Sequence, residues 1–130
     1  MSHQYPSELK YSKDHEWALF SGDTITVGIT DHAQDALGEI VFLELPAVGR
    51  DLKKGETLGV VESIKAVSDI YAPATGQVIE THKELTDNPG QINGDPYKQG
   101  WLLKMKITDK SSLDHLMDRD AYVKYVESLK

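Results

Sequence analysis

Apolar and polar residues alternate in short runs along most of this chain, and glycine, proline and asparagine break the runs. Trp17-Ala18-Leu19-Phe20 and Thr24-Ile25-Thr26-Val27-Gly28-Ile29 flank Ser21-Gly22-Asp23. Two β-prone runs around such a turn predict a hairpin. Thr30-Asp31 then opens a short helix near residues 31–37, and Gly38 closes it. Thr or Asp caps the free amides of a helix start, and glycine supplies a left-handed stop. Ile40–Leu45 reads as a strand that Pro46 and Gly49 end. Further strands near Leu58–Glu62, Val67–Ala72 and Gln77–Thr81 lie between corners at Gly55, Pro73 and Gly76. Strands this short and evenly spaced argue for a mainly β chain, an antiparallel sandwich or barrel.

The pattern changes toward the C-terminus. Residues 86–100 hold Asn88-Pro89-Gly90, Asn93-Gly94, Asp95-Pro96 and Gly100, which predicts a long loop. Leu102, Lys104 and Lys106 alternate with Leu103, Met105 and Ile107, so Trp101–Ile107 is another strand. Ser111-Ser112 is the expected cap for a turn over Leu113–Met117, and Asp118 for a helix over Ala121–Leu129. Ala121, Tyr122, Tyr125, Val126 and Leu129 recur at helical spacing and give that helix one apolar face. Residues 1–9 read as a loose arm. The expected organisation is one domain over 1–130, with a core at about 10–108 and a helical segment at about 111–129.

Composition narrows the function classes. The 130 residues carry a formal charge of −7, which opposes binding to nucleic acid or anionic lipid. The chain has no cysteine, so disulfides, thiolate metal sites and a cysteine nucleophile are excluded. No apolar run approaches the roughly 20 residues that span a bilayer. Met1–Pro6 shows neither an apolar signal core nor an Arg-rich presequence, so the expected location is the cytoplasm. A mitochondrial-matrix protein with its presequence removed would read the same way.

Little here supports independent catalysis. The five histidines, His3, His15, His32, His82 and His115, show no metal-ligand spacing and adjoin no nucleophile motif. Dinucleotide and P-loop glycine patterns are absent. One lysine stands apart from those in polar stretches. Lys65 lies in Ile64-Lys65-Ala66 between two β-prone runs, Leu58–Glu62 and Val67–Ala72. If the runs pair, Lys65 occupies the hairpin tip and offers its amine on a rigid base. A modifying enzyme could deprotonate it there for attack on an activated acyl group. An ordinary turn lysine would occupy the same place.

Further residues shift the balance of this choice. Val60-Val61-Glu62-Ser63-Ile64-Lys65-Ala66 followed by Ser68-Asp69 resembles the lipoylation motif of the glycine cleavage H-protein family. Asp14-His15-Glu16-Trp17, Val27–Gln34, Leu37-Gly38-Glu39-Ile40-Val41, Glu44-Leu45-Pro46, Gly76-Gln77-Val78, Asn88-Pro89, Asp95-Pro96-Tyr97 and Gly100-Trp101 match blocks of that family in order. The resemblance spans roughly residues 10–129. Lipoyl domains carry one glycine sixteen residues before the lysine and another eleven after it; Gly49 and Gly76 stand at those positions and read as turn glycines. Related biotinyl domains place methionines beside their lysine, where this chain has Ile64 and Ala66.

The resemblance implies a flattened, hybrid lipoyl-type barrel or sandwich with added helices. It implies a non-catalytic carrier with (R)-lipoate in amide linkage to Lys65, and it gives Glu62 a part in recognition by the lipoate-attaching enzyme. The carrier would accept an aminomethyl group from glycine decarboxylase (P protein, pyridoxal phosphate). It would pass that group to the aminomethyltransferase (T protein, tetrahydrofolate) and be reoxidised by dihydrolipoamide dehydrogenase (L protein). Asp14, Glu16 and Asp69 are the implied contacts of the loaded arm, and a carrier visiting several enzymes is expected to be a monomer. Some family members have a histidine where this chain has Ala36, so any contact it makes is absent here. The remaining alternatives are a relay of lipoyl groups to 2-oxoacid dehydrogenases, an unmodified interaction module and a free-standing hydrolase or transferase.

Overall fold

The computed structural model describes residues 4–129. In chain order the strands are β1 (Lys10–Tyr11), β2 (Glu16–Ser21), β3 (Thr24–Ile29), β4 (Ile40–Glu44), β5 (Asp51–Leu52), β6 (Thr57–Ser63), β7 (Val67–Tyr71), β8 (Thr75–Thr81) and β9 (Leu103–Asp109). The helices are α1 (Asp31–Leu37), α2 (Lys83–Asp87), α3 (Gln91–Gly94) and α4 (Arg119–Ser128), with a 3-10 turn at Lys110–Leu113. All pairing is antiparallel. A six-stranded sheet runs β1-β2-β3-β9-β8-β5 and a three-stranded sheet runs β4-β6-β7. The two sheets stay open and form a sandwich, not a closed barrel.

Alternation along the strands builds the main core. Ala18, Ile25, Val27, Leu43, Val61, Ile70, Val78, Leu103 and Met105 all point inward and are buried. The expected hairpin forms as Ser21 pairs with Thr24, and Gly22 takes a φ of 64°. The Thr30 hydroxyl caps α1 by accepting from Ala33 N, and Gly38 ends it at φ 84°. Asp118 caps α4 in the same way through Ala121 N.

A second core lies where α4 meets β1 and β2. Tyr11 pairs with Trp17 across the strands, and both are buried with Tyr122 and Val126. The Tyr11 and Tyr122 rings stack at 4.6 Å, and Tyr5 meets both edge-on. Gly28 faces Trp17, and any Cβ there would sit 2.5 Å from the indole. The Tyr122 hydroxyl lies 2.8 Å from both Thr30 Oγ1 and His15 Nδ1. One side chain of α4 thereby closes the start of α1 against the β1–β2 turn.

Several expectations change. Residues 1–3 of the predicted loose arm lie outside the described residues, but Tyr5, Pro6 and Leu9 pack against the body. Leu9 is buried, and Tyr5 O accepts from Arg119 Nε at 2.9 Å. The predicted long loop begins inside α2 and contains α3, single turns held by Leu85 and Ile92, each fully buried. One anchor per turn leaves no periodicity to read. The strand expected from Trp101 starts at Leu103, because the Trp101 carbonyl turns to His82 Nδ1 at 2.7 Å and the two rings stack. Asp109, not the serine pair, caps the turn after β9, while Ser112 Oγ accepts from Thr75 N at 2.8 Å.

Replacing Tyr122 with Phe keeps the ring stack and strips the hydroxyl from Thr30 and His15. The expected loss is about 1–2 kcal/mol of unfolding free energy by urea denaturation. A loss under a few tenths would show that water replaces the hydroxyl.

Candidate functional site

The β6–β7 ladder runs Val60–Asp69, Val61–Ser68 and Glu62–Val67. It leaves Ser63–Ala66 as a tight turn closed by Ser63 N donating to Ala66 O at 2.8 Å. The Ser63 hydroxyl oxygen accepts from Ala66 N at 3.0 Å and Lys65 N at 3.3 Å, filling the turn from inside. Ile64 N donates outward to the Glu39 carbonyl at 3.1 Å. Lys65 is therefore exposed on a tip that is fixed both within the hairpin and from the segment after α1. Its stem lies over Gly38: a Cβ built there would stand 3.2 Å from Lys65 Cε. A lysine at the tip of a fixed turn can be acylated without disturbing the core. Around it, Ile64 and Val67 are 71% and 68% exposed, and Val41 and Phe42 are also exposed. Glu62 sits half-buried between Phe42 and Val67 in the ladder. Exposed apolar side chains clustered on one side of a domain mark a contact surface.

The two spaced glycines lie elsewhere. Gly49 is a turn glycine at φ 96°, and its amide donates to Val78 O at 2.7 Å. Gly76 is not a turn glycine. It lies in β8 opposite Leu52, and a Cβ there would collide with the Lys106 carbonyl of β9. Both glycines shape the β5–β8 edge of the larger sheet, away from the hairpin tip.

The three acids implied for the arm separate in the structure. Asp69 is exposed on β7, and Asp14 is exposed in the β1–β2 turn. Glu16 is 2% exposed. Its Oε1 accepts from Ser12 Oγ at 2.6 Å and its Oε2 from Tyr71 N at 3.3 Å. Glu16 thus ties the strand carrying Asp69 to the turn carrying Asp14, and its carboxylate faces the interior. Burial pushes its pKa up to about 7, against the two hydrogen bonds that favour the charged form. His15 beside it has a left-handed backbone, φ 72°, and burial with the neighbouring His32 lowers its pKa.

Ser63, Gly38 and Glu39 were not singled out as site residues by sequence. Gly38 reads there only as a helix stop, and a carbonyl acceptor such as that of Glu39 leaves no residue-type signal.

The family model described as glycine cleavage H-protein matches residues 9–129. The chain belongs to this family. A glycine cleavage system H protein of Staphylococcus haemolyticus is 50% identical over 117 residues, covering 90% of this chain and 93% of that one. One from Thermus thermophilus is 50% identical over 123 residues, covering 95% and 96%. The mitochondrial H protein 2 of Arabidopsis thaliana is 48% identical, covering 92% of this chain and 77% of that one. A crystal structure of a glycine cleavage system H protein from Mycobacterium marinum superposes with a TM-score of 0.88 at 39% identity, covering 95% and 99%. The H-protein fold of the relative and the sandwich seen here are therefore the same architecture. No helix among the described residues is long and apolar enough to cross a membrane.

Two outcomes follow from this geometry. Gly76→Ala forces the β8–β9 backbones apart and should lower unfolding free energy by about 2–4 kcal/mol in urea. A loss below about 1 kcal/mol would contradict the close approach. For Glu16 the folded pKa lies above the unfolded one, so the native state holds its proton longer. The contribution is greatest below about pH 4.5 and is lost as pH rises through about 7. Between those limits ionising Glu16 removes up to about 3 kcal/mol. Glu16→Gln should flatten that decline. Comparing the two proteins isolates Glu16 from His15 and His115, whose lowered pKa values act in the opposite direction. Parallel stability–pH curves for the two proteins would count against a burdened Glu16.

Proposed function

We propose that this chain is the lipoyl-carrying H protein of a glycine cleavage system, with (R)-lipoate held in amide linkage on Lys65. The observation that carries this is a lysine at the tip of a turn fixed by Ser63 and Glu39, in a chain of this family. The residues present fit the group. The Lys65 amine is exposed, Gly38 leaves room for its stem, and the apolar side chains of Ile64, Val67 and Phe42 border it.

On Lys65, lipoate would supply a disulfide able to take up an aminomethyl group and a thiol pair able to be reoxidised. The chain's own residues supply position. The β6–β7 ladder and the Ser63 turn hold the attachment point, and Glu62 beside the tip is the recognition acid for the lipoate-attaching enzyme. Asp69 and Asp14 lie at the surface, where a carboxylate would bond the protonated amine of the loaded arm. Glu16 holds their two segments together instead of reaching the arm itself. The partners are glycine decarboxylase, the tetrahydrofolate-dependent aminomethyltransferase and dihydrolipoamide dehydrogenase. Tethering raises the local concentration of the carried group to about millimolar within each complex. The carrier is non-catalytic and works as a monomer, in the bacterial cytoplasm or the mitochondrial matrix.

The experiment is co-expression with a lipoate ligase and lipoate, followed by intact and peptide mass. One lipoyl increment on the Lys65 peptide, lost in Lys65→Arg, is the expected result. No increment, while a control lipoyl domain in the same cells is modified, sinks the carrier reading. Glycine-dependent methylamine loading by the decarboxylase then separates the cleavage-system carrier from a lipoyl relay protein.

A further inference from the structure

The tip that carries Lys65 is held from outside by the short strip Gly38–Ile40, which runs from the end of α1 into the first residue of β4. The sheet ladder alone does not fix this strip. Ile40 pairs with Ser63, but the register shifts between Ile40 and Phe42. One side chain from a distant part of the sequence holds it instead. Asn93 Oδ1 accepts from Ile40 N at 2.9 Å, while Asn93 Nδ2 donates to Gly38 O at 2.8 Å and to Gln34 Oε1 at 2.9 Å. Both amide hydrogens and one acceptor position are used, so the carboxamide is orientated by its partners. The backbone of Asn93 is anchored by its neighbour Ile92, fully buried in the main core.

The strip's remaining groups serve the tip. The Glu39 carbonyl accepts from Ile64 N at 3.1 Å, and Gly38 lies under the Lys65 stem. A continuous path of short contacts therefore runs from the core through Ile92 and Asn93 to the strip, and from the strip to Ile64 and Lys65. Asparagine suits this place for a specific reason. It meets an amide and a carbonyl three atoms apart along the backbone, so it must accept and donate at once. Aspartate can accept from Ile40 N but brings a carboxylate against the Gly38 carbonyl. Alanine leaves both backbone groups without this partner.

We propose that Asn93 is a positioning residue for acylation of Lys65, acting through the Gly38–Ile40 strip. This rests on Lys65 being the acylated residue. Asn93 leaves the amine chemistry unchanged; it sets where the amine stands when the modifying enzyme grips the folded hairpin. Its loss therefore weakens productive binding more than the chemical step.

The test uses the full chain as wild type, Asn93→Ala, Asn93→Asp and Gln34→Ala. Two quantities are read: amide hydrogen exchange at Ile64 and Met105, and the initial rate of lipoate ligase on Lys65 against carrier concentration, with lipoate and ATP saturating. In Asn93→Ala the Ile64 amide should exchange about tenfold faster while Met105 in the core keeps its protection. KM for the carrier should rise about tenfold with kcat within about twofold of wild type. Gln34→Ala, which leaves the two backbone bonds of Asn93 in place, should match wild type in both. A folded Asn93→Ala protein with wild-type Ile64 exchange and wild-type KM overturns the proposal. If Asn93→Ala loses Met105 protection as well, Asn93→Asp decides: a wild-type KM in that folded protein overturns the proposal equally. A wild-type chain that is never acylated on Lys65 brings down the carrier reading and this one together. Normal acylation of wild type and Asn93→Ala alike removes this one only.

Discussion

A lysine on a hairpin tip wanders unless something beyond the hairpin holds the turn. Here the hydrogen bond from Ile64 N to the Glu39 carbonyl does so, at 3.1 Å. Much of the site's geometry leads to this contact. The end of α1 at Gly38 delivers the carbonyl, and the start of β4 pairs with β6 so that strip and tip stay level. The Ser63 hydroxyl shapes the turn on the other side by gathering the amides of Lys65 and Ala66. A carrier needs a reach that is fixed at its root and free at its end, and this arrangement separates the two.

The larger sheet provides the mass against which that root is braced. Glu16 joins the sheets directly, because it belongs to β2 and its carboxylate accepts from Tyr71 N on β7. A buried carboxylate is a costly joint, tolerable because two hydrogen bonds meet it. On the far side, Trp17 lies on Gly28 and shares a buried cluster with Tyr11 of β1 stacked on Tyr122 of α4. The C-terminal helix thereby covers the outer face of β1 and β2, a role its apolar residues foreshadow but whose target they do not name.

Legibility in the sequence followed the range of the interactions. The hairpin at Gly22, the caps at Thr30 and Asp118 and the stop at Gly38 depend on neighbours a few residues away, so residue type and spacing reveal them. Lys65 was legible through the motif around it. α3 was hidden because Pro89, Gly90 and Gly94 surround its one apolar anchor, Ile92, and α2 because it is a single polar turn anchored by Leu85 alone. Gly76 looked like a corner because glycine has two uses; here it permits a backbone approach, not a positive φ. Asn93 could not be found at all, because its partners Gly38 and Ile40 lie more than fifty residues earlier.

The order of strands carries a consequence for how the chain is made. β9, the last strand, lies in the middle of the larger sheet, between β3 and β8. A nascent chain that has emerged only as far as residue 102 has two half-sheets with bare edges and no seam. The three-stranded sheet, by contrast, lies wholly within residues 40–71, where only β5 belongs to the larger sheet. On the ribosome the lysine-bearing hairpin can therefore pair early, whereas the body that supports it must wait for the C-terminal segment to leave the exit tunnel. Lys65 is thus translated well before the fold that presents it is complete.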